Sequence, residues 1–512
     1  MWYMRHLAIL AMLGGAIACA SAASWTQYRG SNHDATATEP IRTNWTAEPP
    51  RVLWRKPLPF GLSSFSVGEN RRLYTMARRT SGGEQREFCV ALNADTGDEL
   101  WATEVGLADY PHGGVGSDDG PRSTPTIVGD RVITFGSYMN LMCLDAASGD
   151  EIWSHELIEE YGSRLISWQN AASPTVAGDL VFVNSNGRDN EHLIAFRVSD
   201  GSVAWKRGSY GMTHATPVRA TIGGAEQVNF FGQQALVAVE PTTGNVLWNY
   251  PLVYNHTSVA ASPVVEGNTV YISRAYPLGL VPAAGALVVQ VNGENGNFTA
   301  SEKWQKINQL MNHWSTPVFH DGHYYGNFGQ SLLELRCVDA SDGETRWAIR
   351  DFGYGSVTLV QDKLLVLADD GELVLVETNP EEYSEIARFR PEMTNPKCWN
   401  NPAVSDGRIY IRSTREALAI DLSVASAAPL PPLKLGVADF GGGAFTLEIA
   451  PENGSALDAQ LAPRISVTSN SDLDSAIGWM RVSGSTVLTN GKLTLQITPT
   501  EARKFFRTEE NP

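Results

Sequence analysis

The chain is poor in charge: only 19% of its 512 residues are Asp, Glu, Lys or Arg, and the 39 basic side chains are outnumbered by 56 acidic ones. No block of Lys and Arg occurs. Phosphate binding needs clustered cations, so nucleic acid is excluded as a partner. Cysteine is scarce as well, with five in the whole chain and neither a Cys-Cys nor a Cys-x-x-Cys pair. A zinc knuckle and a redox dithiol therefore lack their ligands. Walker loops, Gly-x-Ser-x-Gly elbows and His-Glu-x-x-His strings are missing, which leaves nucleotide enzymes and hydrolases of those kinds without residues to stand on.

Long apolar runs are missing beyond the start. Leu7–Ala18 follows Arg5 and His6 and is shorter than the roughly 20 residues that cross a bilayer. Ala20-Ser21-Ala22 then fits a signal-peptidase site, so residues 1–23 read as a signal peptide and the protein as exported, periplasmic or extracellular. A second reading places a lipid anchor on Cys19, because Ala16-Ile17-Ala18-Cys19 resembles a lipobox with alanine where leucine is usual. No transmembrane span is expected. Of the cysteines left after cleavage, Cys143 and Cys337 each stand six residues before a turn glycine and read as core thiols.

What is abundant is glycine (47), proline (27) and tryptophan (14), a composition of short strands and tight turns. One string recurs: Asp95-Thr96-Gly97 then Trp101, Ser148-Gly149 then Trp153, Asp200-Gly201 then Trp205, Thr243-Gly244 then Trp248, and Asp342-Gly343 then Trp347. The Gly-x-x-x-Trp spacing is constant, and Trp304 after Asn295-Gly296 is a looser copy. Glycine supplies the positive φ of a hairpin turn, and the indole lies on the outgoing strand where it can pack on the next unit. Upstream of the hairpins a second string recurs around Thr124-Pro125, Ser173-Pro174, Ser262-Pro263 and Thr316-Pro317 and reads as a strand, a turn and another strand. Four strands repeated at intervals of 43 to 56 residues form a blade of a propeller.

Eight such units are expected, their first strands near Ser64, Pro125, Pro174, Pro217, Pro263, Pro317, Val357 and Pro402. The last stops at Asp421 without a fourth strand, and Arg51-Val52-Leu53-Trp54-Arg55 is an orphan at the other end of the chain. A ring leaves no exposed edge only if it closes, so the N-terminal strand is expected to complete the last unit. Residues 24–422 are thus one propeller. An Ala-, Ser- and Pro-rich stretch, 423–434, reads as a linker, and alternating strands over 435–512 read as a small C-terminal β domain, sandwich-like in form.

At these residues the chain resembles the PQQ-like, tryptophan-docking repeat propellers, an all-β, eight-bladed family that includes quinoprotein dehydrogenases and a barrel-assembly lipoprotein. Trp25-Thr26-Gln27-Tyr28-Arg29-Gly30 is similar to the opening of exported members. The resemblance covers about residues 25–422 and implies one of two functions. The first is a non-enzymatic binding platform for a protein or peptide partner in the cell envelope. The alternative is a PQQ- and calcium-dependent dehydrogenase of alcohols or sugars, for which the family would imply oxygen ligands, an aspartate base and commonly a vicinal disulfide. Asp118 and Asp119 in the loop 112–122, and Asn186 to Asn190, are candidates for the acid and metal roles, but neither spacing dictates a metal site.

A binding rim is expected where the loops enter the first strands. Three residues before the repeated proline stand Gly61, Arg122, Ala171, His214, Ala260, Trp314, Tyr354 and Trp399, with His313 and Asn170 one step earlier. Arg122, His214, His313, Trp314, Tyr354 and Trp399 are the candidate ligand contacts, aromatic planes mixed with a cation and imidazoles that suit a flat anionic ligand or an anionic peptide. The same aromatics would also serve simply to fill the channel.

Overall fold

The computed structural model describes residues 25–111, 116–252, 259–275, 284–294, 296–330, 332–424, 432–441, 444–457, 465–470, 480–482, 486–489, 491–498 and 505–510. The expected signal peptide and Cys19 lie outside these residues. The chain divides into two compact units, one running to Val424 and one from Ala425. Among the described residues the first unit is an all-β propeller built from eight sheets.

In seven of the eight sheets four consecutive strands pair in sequence order: 66–107, 126–156, 175–207, 218–251, 264–307, 318–349 and 356–389. The eighth has three consecutive strands, Ala403–Ser405, Arg408–Arg412 and Glu416–Asp421, and its outer strand is Arg51–Pro57. That N-terminal strand runs antiparallel to Glu416–Asp421, with Trp54 opposite Ala419. The middle strands are continuously buried, as in Leu180–Asn184 and Leu373–Glu377, because both faces of each sheet are covered by neighbours. Cys89, Cys143, Cys337 and Cys398 are all free thiols buried in this packing.

Two contacts recur between successive sheets. The first is the indole. Trp54 donates from Nε1 to the Ala94 carbonyl at 2.9 Å, Trp153 to Val198 at 2.9 Å, Trp205 to Pro241 at 2.8 Å and Trp304 to Ala340 at 3.0 Å. The turn glycine of the receiving sheet lies flat on the ring. A Cβ on Gly97 would come within 2.5 Å of Trp54, one on Gly149 within 2.6 Å of Trp101 and one on Gly201 within 2.8 Å of Trp153. Glycine is required there twice over, for its positive φ of 71–80° and for the missing Cβ.

The second contact is a chain of hydroxyls around the axis. The backbone N–H of Asn401 donates to Ser64 Oγ at 3.0 Å, and Ser64 N–H to Thr124 Oγ1 at 3.1 Å. Thr124 N–H donates to Ser173 Oγ at 2.9 Å, and Ser173 N–H to Thr216 Oγ1 at 3.0 Å. Thr216 N–H donates to Ser262 Oγ at 3.2 Å, and Ser262 N–H to Thr316 Oγ1 at 2.9 Å. All but Ser64, which precedes Phe65, stand before a repeated proline, where no ladder partner exists, so the hydroxyl of the neighbouring sheet satisfies an otherwise orphaned donor.

One expectation needs correction. Trp248 keeps the repeat spacing but does not dock on the next turn; its Nε1 donates to Gln227 Oε1 at 2.7 Å within its own sheet. The reason is length: strands Gly285–Glu294 and Asn297–Ile307 carry the following turn far outward, and Phe298 reaches back over Gly223.

The second unit holds a four-stranded and a three-stranded sheet among its described residues. Phe445, Leu447, Ile449, Leu493 and Leu495 of the first share a core with Ile465, Val467 and Phe506 of the second. Its first strand, Leu433–Gly441, begins inside the stretch expected to be linker, because Leu433, Leu435 and Val437 alternate onto that core.

The hydroxyl chain gives a direct test. Thr124→Val keeps the shape but leaves the buried Ser64 N–H without an acceptor, so chemical denaturation should show a loss of about 1–3 kcal/mol, whereas Thr124→Ser should stay close to the parent.

Candidate functional site

The loops that enter the innermost strands make one rim of the first unit. On it the structure brings together four of the six candidate contacts. The Trp314 ring lies 4.6 Å from Tyr354, nearly parallel, and 4.7 Å from Trp399. His313 is 3.9 Å from Trp314 and 5.9 Å from Tyr354. The Lys397 ammonium sits 5.5 Å from the Trp399 ring centre, a cation–π contact that sequence reasoning missed because Lys397 is off the repeat position. All four ring residues are partly exposed.

Tyr354 and the backbone on either side of Trp399 are tied down by hydrogen bonds. Tyr354 donates its N–H to Asp369 Oδ2 at 3.1 Å and its hydroxyl to the Gln330 carbonyl at 3.4 Å. Behind Trp399, Asn400 donates to the Arg412 carbonyl, and Cys398 N–H to Asp369 O at 2.9 Å. Burial pushes the His313 imidazole down to about 4, so it is neutral at physiological pH. The cluster offers apolar edges, part of three aromatic faces and one cation; a flat ligand cannot slide between Trp314 and its neighbours, whose faces already cover each other.

Arg122 and His214 stand elsewhere. Arg122 donates from Nη2 to both carboxylate oxygens of Asp119, at 2.8 and 3.0 Å, and from Nη1 to the Trp168 carbonyl, and it lies over the Tyr110 ring. His214 is buried before Val218–Ile222, its N–H on the Val259 carbonyl. Beneath Arg122, the fully buried Glu87 accepts from Tyr110 and from the Ser137 N–H, and burial raises its carboxyl.

Asp118 and Asp119, candidates for acid or metal roles, are already committed. Asp118 receives Arg415 Nη2 at 2.5 Å, Asn395 Nδ2 at 2.9 Å and Thr414 Oγ1 at 3.2 Å. Arg415 holds its carboxyl well below the usual range. Asn186 bridges the Arg164 carbonyl and the Met212 N–H, and Arg188 donates to the Glu160 carbonyl. No group of three His, Cys, Asp or Glu side chains able to hold a metal occurs among the described residues. Asp118 and Asp119, each held by an arginine, do not fit a calcium ion that binds quinone.

With this geometry in view, the comparisons decide the family. A family model described as outer membrane protein assembly factor BamB matches residues 85–349, more than half of the chain. The chain belongs to that family of PQQ-like repeat proteins. The outer membrane protein assembly factor BamB of Moranella endobia is 23% identical over 286 residues, 54% of this chain and 68% of that protein. Among solved structures, a quinohemoprotein alcohol dehydrogenase of Pseudomonas putida HK5 superposes with a TM-score of 0.54 at 11% identity, covering 80% of this chain and 83% of its own. That of Comamonas testosteroni gives 0.54 at 13%, with 81% and 83% covered. At such identities these two show a shared fold and no more.

The Asp118–Arg415 pair ties the loop before the second sheet to the eighth. Its carboxyl is lowered in the folded chain, so its stabilisation is present above the unfolded value of about 4 and fades as pH falls below it. Asp118→Asn should lower the melting temperature at pH 7, and the gap to the parent should narrow as melting is followed from about pH 4 down to about pH 2 without closing there.

Proposed function

We propose that the chain is a non-enzymatic binding scaffold of the cell envelope that docks an extended segment of a protein partner on its rim. The eight sheets are taken as eight blades of a ring closed by Arg51–Pro57, and the C-terminal unit as a small β-sandwich appended to it. Family membership supports the scaffold reading, since the related protein from Moranella endobia is named as an assembly factor. The signal-like residues 1–23 support export to the periplasm or beyond, with Cys19 as the place for a lipid anchor.

The observation that carries the site is the cluster of His313, Trp314, Tyr354 and Trp399. Repetition builds a scaffold, and a binding site is built by departures from it. Five equivalent rim positions carry large or polar groups and three carry Gly or Ala, and the large aromatics gather on the sixth, seventh and eighth sheets. Aromatic residues beside one cation suit a peptide with apolar and acidic side chains, so the site is narrowed from the six expected contacts to these four.

The test is site-specific photo-crosslinking in the envelope. Probes at Tyr354 and Trp399 should yield adducts with a partner and probes at the outer-strand positions Ile152 and Val203 should not. Trp314→Ala should reduce the adducts several-fold while leaving the melting curve close to the parent's. Adducts only from the outer strands, or only from residues 435–512, would contradict the reading.

A further inference from the structure

The junctions between sheets are not alike. Indoles reach across from the eighth sheet to the first, and on through the second, third and fourth; further indoles join the fifth to the sixth and the sixth to the seventh. Between the fourth and fifth the long hairpin lies back over its neighbour instead. Between the seventh and eighth there is no docked indole among the described residues. Ala387, opposite Leu375, holds the register place that Trp347 holds opposite Cys337 and Trp205 opposite Ala195.

A separate piece of chain crosses this junction. Thr36–Ala37 pairs in parallel with the inner edge of Ser356–Val360, the Ala35 and Ala37 carbonyls accepting from Leu359 at 2.8 Å and Gln361 at 2.7 Å. Two residues later Glu39 accepts from the Gly407 N–H at 2.9 Å, in the first turn of the eighth sheet. Ile41 bridges to Ser423, and Arg42 takes the Leu422 carbonyl through its N–H at 2.7 Å and the Asp421 carbonyl through its guanidinium at 2.6 Å. At the opposite, rim end the same junction is spanned by Ser356 Oγ on the Asn400 carbonyl at 2.8 Å and by Tyr354 and Trp314 against Trp399.

We propose that residues 35–42 are a clasp across the seventh and eighth sheets, and that this junction opens while the indole-docked ones stay shut. The proposal rests on the reading of the eight sheets as a closed ring. Because the rim cluster straddles the same junction, its opening draws Trp399 away from Trp314 and Tyr354, so the clasp sets the shape of the surface assigned to the partner. The device needs no new element: a strap of backbone hydrogen bonds is weaker and more easily exchanged than a buried indole seated on glycine.

Hydrogen exchange of the full chain, read by mass spectrometry at rising sub-denaturing urea, tests this without any mutation. Amides of Arg42, Leu359, Gln361 and Gly407, which carry the strap hydrogen bonds, should lose protection first, ahead of those in Arg131–Phe135 and Leu180–Asn184. In Ala37→Pro, which removes one strap hydrogen bond, they should exchange about tenfold faster with the second and third sheets unchanged. Loss of protection in all sheets together, or no change in the variant, would overturn the clasp and leave ring closure standing. First release of Arg51–Pro57 from Glu416–Asp421 would instead overturn the closed ring, and the clasp with it.

Discussion

The structure depends on an indole ring laid flat on a glycine. Sheets of four strands are individually weak units, with both faces apolar and nothing within the sheet to cover them. Each becomes stable only by burying a face on the next, and the Trp–Gly pair fixes that approach in both distance and register. The ring buries a large apolar area, and its one N–H finds a carbonyl on the neighbour, so the contact is apolar and polar at once. Any side chain at the glycine would push the two sheets apart.

The N-terminal segment completes what repetition leaves unfinished. Trp25 bridges to Val67, the Thr26 carbonyl accepts from Ile127, and Arg29 reaches the Thr316 and Pro317 carbonyls on the far side, so a short run of residues crosses the axis. Arg29 is fully buried and its guanidinium is met by backbone carbonyls alone, including those of His33 and Asp34. Arg412 is held between the eighth sheet and the first by the Met76, Pro59 and Ser413 carbonyls and by Thr75 Oγ1. Carbonyls at the ends of short strands have no ladder partners, and an arginine fork satisfies several of them with one side chain.

Much of this was legible in the sequence, for a physical reason. A turn glycine and a tryptophan four residues later are hard to replace, so the repeat survives as a visible pattern and gave the units, their order and the closing strand at Trp54. The proline string marked the innermost strands, but the Ser or Thr before it showed no sign of its role, since hydroxyls before proline are common in any loop. Pairings that depend on long-range geometry were invisible. Asp118 and Arg415 lie 297 positions apart, and nothing local says that the acid expected to act on a ligand is spent on an arginine. At the rim, His313, Trp314, Tyr354 and Trp399 lie together in space, while Arg122 and His214 are drawn into separate contacts by Asp119 and by burial. The N-terminal strap left no trace either, because two residues of parallel strand carry no periodicity.

The central claim is that the N-terminal segment is part of the ring and not an appendage. The most direct measurement compares thermal unfolding and size-exclusion behaviour of the mature chain with a form that begins at residue 58. The account predicts that the shorter chain exposes the edge of Glu416–Asp421, loses its cooperative transition and aggregates. A shorter chain that stays monomeric and melts cooperatively at the parent's temperature would contradict it.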